Sequence, residues 1–153
     1  MLKCLYILLI SMLPLVELRG AIPIAAAMEL PFYVYAPIAV LGNLIPVPFI
    51  LLYIPRILDW LEKFRAFEGI VLWVRKKADK HSARILNGAF IGLMLFVLIP
   101  LPGTGAWTGA LVASLFELPK RRSFFAIALG VLGCAVIMTL ASEGVVSFLS
   151  FLL

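Results

Sequence analysis

PLPGTGAW, residues Pro100 to Trp107, stands inside a stretch from Ile85 to Phe116 that carries no charged residue. Its two prolines and two glycines separate apolar arms of about 11 to 16 residues. A membrane-crossing helix needs about 20 residues at 1.5 Å rise, so two such arms cannot each cross. The flanks decide between the remaining possibilities. Before the stretch, Arg56 to Arg84 contains eight Lys or Arg, and after it comes Lys120-Arg121-Arg122. Both flanks read as cytoplasmic under the positive-inside rule. The stretch is therefore expected to enter and return on one side as a re-entrant hairpin, with Pro100, Pro102, Gly103 and Gly105 at its tip. Irregular backbone at membrane depth persists only against protein or a wet cavity, so the tip should face inward. The competing reading is one kinked span, which would place Lys120-Arg121-Arg122 outside.

The whole chain has the composition that such a hairpin requires. Of the 153 residues 64% are apolar and 14% charged, and the mean hydropathy of +1.14 lies outside the range of soluble domains. The expectation is an all-α integral membrane protein, multi-pass in the cell membrane, forming a single membrane domain over 1–153. The net charge of +5 comes from basic residues beside apolar segments, so nucleic acid is not an expected partner. Cys4 and Cys134 stand among apolar neighbours without ligand spacing and read as packing residues. The opening apolar segment has the look of a signal peptide, but lacks a clear cleavage site before Glu17 and Arg19.

That segment also has a counterpart later in the chain. Shifted by 88 residues, Glu29-Leu30-Pro31 falls on Glu117-Leu118-Pro119 and Leu41-Gly42 on Leu129-Gly130; a shift three shorter sets Gly20-Ala21 on Gly105-Ala106. Both halves follow one order: apolar arm, break, apolar arm, ELP, long apolar helix. The first repeat (1–55) has arms Leu5 to Val16 and Ala21 to Met28 around a break at Glu17 to Gly20, then the span Phe32 to Pro55. A cytoplasmic amphipathic linker (56–84) follows, with Trp60, Phe64, Phe67, Val71 and Val74 on one face. The second repeat (85–153) ends in the long helix Ser123 to Leu153. Charge placement makes the first hairpin dip from the outer face and the second from the cytoplasmic face, an inverted repeat of two re-entrant helical hairpins and two long transmembrane helices.

Ionisable residues at membrane depth are functional candidates. Glu17 and Arg19 stand at the first break, where they either pair with one another or serve a shared cavity as a proton carrier and an anion contact. At the second break Thr104 is expected to cap a half-helix starting near Gly105, whose free N–H groups form an anion site. Gly20 and Ala21 are expected to start the matching half-helix, so that Glu17, Arg19, Gly20, Pro102, Gly103, Thr104 and Gly105 surround one midplane substrate or ion site. Trp107 reads as packing, Glu143, Glu29 and Glu117 as solvated, and Asn43 as help for a span broken at Pro46 and Pro48. Enzymatic chemistry finds no support: His81, Asp59 and Asp79 lie in the polar linker, and no metal-ligand cluster or cofactor motif occurs.

At PLVELRGAIPIA (Pro14 to Ala25) and PLPGTGAWTGAL (Pro100 to Leu111) the sequence resembles the small multi-drug export protein family, over nearly the whole chain. That family is in turn similar to the DedA membrane proteins, which are linked to proton-dependent transport and lipid scrambling. The resemblance implies a membrane transporter or lipid flippase, with Glu17 matching the acidic residue of the first hairpin motif. DedA proteins carry arginines near the second motif and PLPGTGAW has none, which leaves Arg19. Expected partners are membrane lipids and a small solute or lipid substrate, with protons as candidate coupling ion. A homodimer would help bury the hairpin tips. The alternative is a scaffold that transports nothing.

Overall fold

The structure is a computed structural model that describes residues 2–61, 83–101 and 103–152. Among these residues it is helical, with no strand. Seven helices follow in chain order: α1 (Leu2–Met12), α2 (Glu17–Ala27), α3 (Phe32–Leu44), α4 (Pro46–Leu61), α5 (Ala83–Leu98), α6 (Ala106–Leu115) and α7 (Lys120–Leu152). Beyond Leu61 the amphipathic linker face, with Phe64, Phe67, Val71 and Val74, lies outside the described residues, as does Pro102.

Two apolar stretches are long enough to cross a bilayer, Phe32–Ile57 and Lys120–Val145, 26 residues each; at 1.5 Å per residue each extends about 39 Å. The first joins α3 to α4 through Ile45, whose φ of −54° and ψ of −47° keep the chain helical. Pro46 and Pro48 follow, each without an N–H, so the Gly42 and Leu44 carbonyls lose their donors four residues on. Asn43 does not relieve that break: it is fully buried, and its Oδ1 and Nδ2 lack a hydrogen-bond partner among the described residues.

Both short-helix pairs double back. α1 packs along α2, and the Lys3 Nζ at the start of α1 donates to Met28 O at the end of α2 (3.1 Å). In the second half, Ala89, Phe90 and Leu93 of α5 meet Leu118 and Pro119, just past α6, and Ser123 at the start of α7, around a small cavity. The chain therefore reverses direction at each break.

The two ELP sites end α2 and α6 in the same way. Leu30 N donates to Ala25 O and Glu29 N to Ala26 O; Leu118 N donates to Ala113 O and Glu117 N to Ser114 O. This is the Schellman pattern, in which one residue turns left-handed to satisfy the last carbonyls. Here that residue is Glu29 (φ 57°) and Glu117 (φ 50°) instead of the usual glycine, and the proline that follows stops the helix. Both glutamates are exposed, as the sequence reading expected.

The halves interlock, since α2 packs on α7 and α6 on α4. Small residues let these backbones approach: Ala21, Ala25, Ala106, Ala110 and Ala113 are all fully buried. Glycines do the same between first arm and span. A Cβ on Gly42 of α3 would lie 2.5 Å from Leu8 O of α1, and one on Gly130 of α7 would lie 2.6 Å from Met94 O of α5. Outside this small-residue interior the surface is apolar. On α7, Phe125, Leu129, Leu132, Val136 and Leu140 are all exposed, and their spacing of three or four residues makes one continuous stripe. A stripe of that kind belongs against lipid acyl chains.

Candidate functional site

The two breaks meet. In the first, residues 13–16 turn the chain, Glu17 N donates to Leu13 O (2.9 Å), and α2 begins at Glu17. The expected start at Gly20 and Ala21 is therefore corrected. Gly20 is already inside the first turn, where a Cβ would strike the Val16 side chain, and the break lies before Glu17 and not across Glu17 to Gly20. Glu17 has φ 51°, a left-handed conformation that a non-glycine residue adopts only when its surroundings impose it. Its side chain supplies the reason.

That side chain is buried and crosses to the second hairpin, where Glu17 Oε1 accepts the backbone N–H of Trp107 (3.1 Å) in the first turn of α6. A Cβ on Gly105 would collide with Glu17 Oε2, so glycine is required there both by this approach and by its φ of 149°. An internal carboxylate thus occupies the positive end of α6, the place the sequence reading assigned to an external anion. Thr104 is not the cap. Its Oγ1 donates backward, within reach of Ile99 O and Leu101 O (both 2.9 Å). A hydroxyl makes the same bonds in a cap and in a turn, so the residue type alone could not distinguish them.

Arg19, one turn-edge further along α2, takes the other end of the second break. Its Nη1 donates to Leu101 O (2.6 Å) and to Thr104 O, and its Nη2 to Ile99 O (3.0 Å) and Val97 O (3.2 Å). These carbonyls include the last turn of α5, the negative end of that helix. Instead of closing on one another, the carboxylate and the guanidinium of the first break each engage the helix end of opposite sign in the second. The fork of guanidinium donors suits several carbonyls at once, where a point-like ammonium would not. Arg19 Nε is buried and unpartnered among the described residues. Trp107 adds a further tie, its Nε1 donating to Met12 O at the end of α1 (3.0 Å).

Beside this junction lies an open cleft of about 600 Å³, lined from the first break by Glu17, Arg19 and Gly20, from the second by Gly103 and Thr104, and from α7 by Met138. Of the seven residues singled out from sequence, five line it, Gly105 is buried behind Glu17, and Pro102 lies outside the described residues. Apolar Leu15 and Leu101 flank its mouth, 97% and 55% exposed. The cleft thus offers an apolar rim over a floor that holds one carboxylate and one guanidinium.

Sequence reasoning missed a second polar contact. Glu143, expected to be solvated, accepts a hydrogen bond from the Tyr35 hydroxyl (2.8 Å), and Tyr35 is fully buried. The partners are 108 residues apart, and a tyrosine near the start of an apolar helix carries no local signal of such a bond.

A family model described as putative small multi-drug export protein matches residues 17–137, from the carboxylate that caps α6 into the middle of α7. The chain belongs to that family. No curated protein and no solved structure matches it. For a small multi-drug export protein, the match takes in Glu17, Arg19, Gly20 and the whole second break, and the family's description names export. Together with two apolar helices of crossing length and the exposed stripe on α7, it makes this a membrane protein of transporter type.

Proposed function

We propose that the protein carries an amphipathic solute or a lipid across the membrane through the cleft between the two breaks, with Glu17 as the proton-carrying group. In this reading the two hairpins are re-entrant and inverted, which sets the breaks at the midplane. The observation that carries it is the Glu17 carboxylate lying on the first turn of α6 at the edge of a cleft large enough for a small molecule. While Glu17 is charged, it holds the N–H groups that would otherwise attract an anionic head group. A proton on Glu17 removes the charge that complements α6, and those donors become available to substrate. Arg19 keeps the second break in shape throughout. The apolar rim receives the greasy part of the substrate, so neither half of an amphipath is left against the wrong surroundings.

The test is flux in reconstituted vesicles, measured for labelled phospholipids and for amphipathic solutes, with and without a pH gradient. Glu17→Gln and Arg19→Ala are expected to abolish flux while the protein still inserts. Flux by Glu17→Gln equal to that of the unmodified protein removes the carrier role. The satisfied bonds of Glu17 and Arg19 also favour a second reading, a static scaffold, and a scaffold moves neither lipid nor solute in any of these vesicles. The orientation is checked with Arg121→Cys: an impermeant thiol reagent should reach it only from the cytoplasmic face.

A further inference from the structure

In the register that sets Glu29-Leu30-Pro31 on Glu117-Leu118-Pro119, the first four residues of α3, Phe32-Tyr33-Val34-Tyr35, fall on the first four of α7, Lys120-Arg121-Arg122-Ser123. Both helices start directly after the proline of a Schellman turn. The two starts share a backbone and differ in chemistry. Helix α3 opens on three uncharged residues and a fully buried tyrosine, so the turn itself demands neither positive charge nor a small residue. Helix α7 opens on three exposed cations and a serine that is 3% exposed.

Behind the start of α7 lies the small cavity against α5, with Arg122 and Ser123 as polar lining and Phe90, Leu93 and Pro119 among the apolar lining. Its volume of about 10 Å³ is room for one water-sized group. Ser123 N closes the first turn on Pro119 O (2.9 Å). Its hydroxyl has no hydrogen-bond partner among the described residues, unlike that of Ser114, which donates to Ala110 O one turn back (2.8 Å). The N–H groups of Lys120, Arg121 and Arg122 precede that first bond, and they set the positive end of a 33-residue helix beside the cavity. Among the described residues these three cations form no ion pair. The exposed Glu117 carboxylate does not line the cavity.

From this arrangement we infer that the corner between α5 and α7 binds a phosphate group. One phosphoryl oxygen enters the cavity and accepts the Ser123 hydroxyl, while Arg122 and the N–H groups of the first turn of α7 hold the rest of the anion. A guanidinium fork matches two phosphate oxygens at once. Lys120 begins the crossing stretch Lys120–Val145, which puts the corner at a membrane surface, and the exposed apolar stripe on α7 begins just beyond it at Phe125. A phospholipid therefore fits both parts, with its phosphate in the corner and an acyl chain along the stripe, whereas free phosphate fits the corner alone. The site is independent of what the cleft carries.

The experiment is native mass spectrometry of the full-length protein in a maltoside detergent, titrated separately with phosphatidylglycerol and with inorganic phosphate. Binding of phosphatidylglycerol points to a lipid phosphate, and binding of inorganic phosphate alone to a soluble one. In either case Arg122→Gln and Ser123→Ala should each weaken binding several-fold. Arg56→Gln, which removes one exposed charge at the end of the other crossing stretch, should bind as the unmodified protein does. Ser123→Ala separates a built site from diffuse attraction, because it removes a buried hydroxyl and no charge, and melting temperatures measured without ligand show that each variant is folded. Binding that is untouched by Ser123→Ala, or that falls as far in Arg56→Gln as in Arg122→Gln, overturns the inference, as does the failure of both probes to bind.

Discussion

Glu17 and Trp107 are joined across 90 residues of sequence by a 3.1 Å hydrogen bond from the Trp107 backbone N–H to the Glu17 carboxylate. The bond places a charge from one broken hairpin on the first turn of the other's second helix. With Arg19 on the carbonyls of residues 97–104, both ends of the second break are neutralised from outside it.

Removing the carboxylate should loosen the junction. Glu17→Ala leaves the Trp107 N–H buried without its charged acceptor, a loss of about 1.5–3 kcal/mol. Glu17→Gln keeps an acceptor and should lose less. Thermal unfolding in detergent, followed by tryptophan fluorescence, should rank unmodified protein above Glu17→Gln and Glu17→Ala last.

Arg19→Lys is expected to behave nearly as Arg19→Ala. A lysine has three donors at one point and cannot cover four carbonyls spread over residues 97–104. Hydrogen exchange should show residues 97–104 more labile in both variants, and protection in Arg19→Lys equal to that of the unmodified protein contradicts the bridging geometry.

The two glycines of the second break should respond unequally to alanine. Gly103 has φ 82° but open space around its Cβ, so Gly103→Ala carries only backbone strain of about 1–2 kcal/mol. Gly105→Ala adds a collision with Glu17 Oε2. Its melting temperature should fall further, and its α6 amides should lose exchange protection where those of Gly103→Ala do not.

Gly42→Ala and Gly130→Ala should each destabilise by about 1–3 kcal/mol through overpacking, because each Cβ meets a backbone carbonyl of the neighbouring arm. Gly92→Ala on α5, with nothing near its Cβ, is the comparison and should be close to neutral. Unfolding in a denaturing detergent titration measures all three.

What the sequence disclosed was local. The charge-free arms around PLPGTGAW, the paired ELP turns and the existence of two long spans follow from periodicity, helix-stop residues and hydropathy, while the ends of α1 and α4 fall several residues from those signals, at Met12 and Leu61. Gly20 resembles a break residue and so points to too late a start for α2, whereas Glu17 takes the left-handed turn that glycine normally would. The capping of α6 was assigned to Thr104, its sequence neighbour, since nothing local announces a carboxylate arriving from 88 positions before Gly105. Tyr35 with Glu143 was missed for the same reason. In each failure the deciding partner lies in the other half of the chain.

The division of labour between the breaks bears on how the protein is made. Its charges all come from the first break and the backbone groups they satisfy all come from the second, 78 to 90 residues later. A ribosome delivers the hairpins in that order, so the first emerges with a carboxylate and a guanidinium whose partners have not been synthesised. Holding them in hydrocarbon alone would cost about 2.5–3.5 kcal/mol each. If the breaks lie at the midplane, as proposed, biogenesis favours a waiting stage in which the first hairpin stays near the insertion machinery or the wet interface, and sinks to its final depth only when its counterpart arrives.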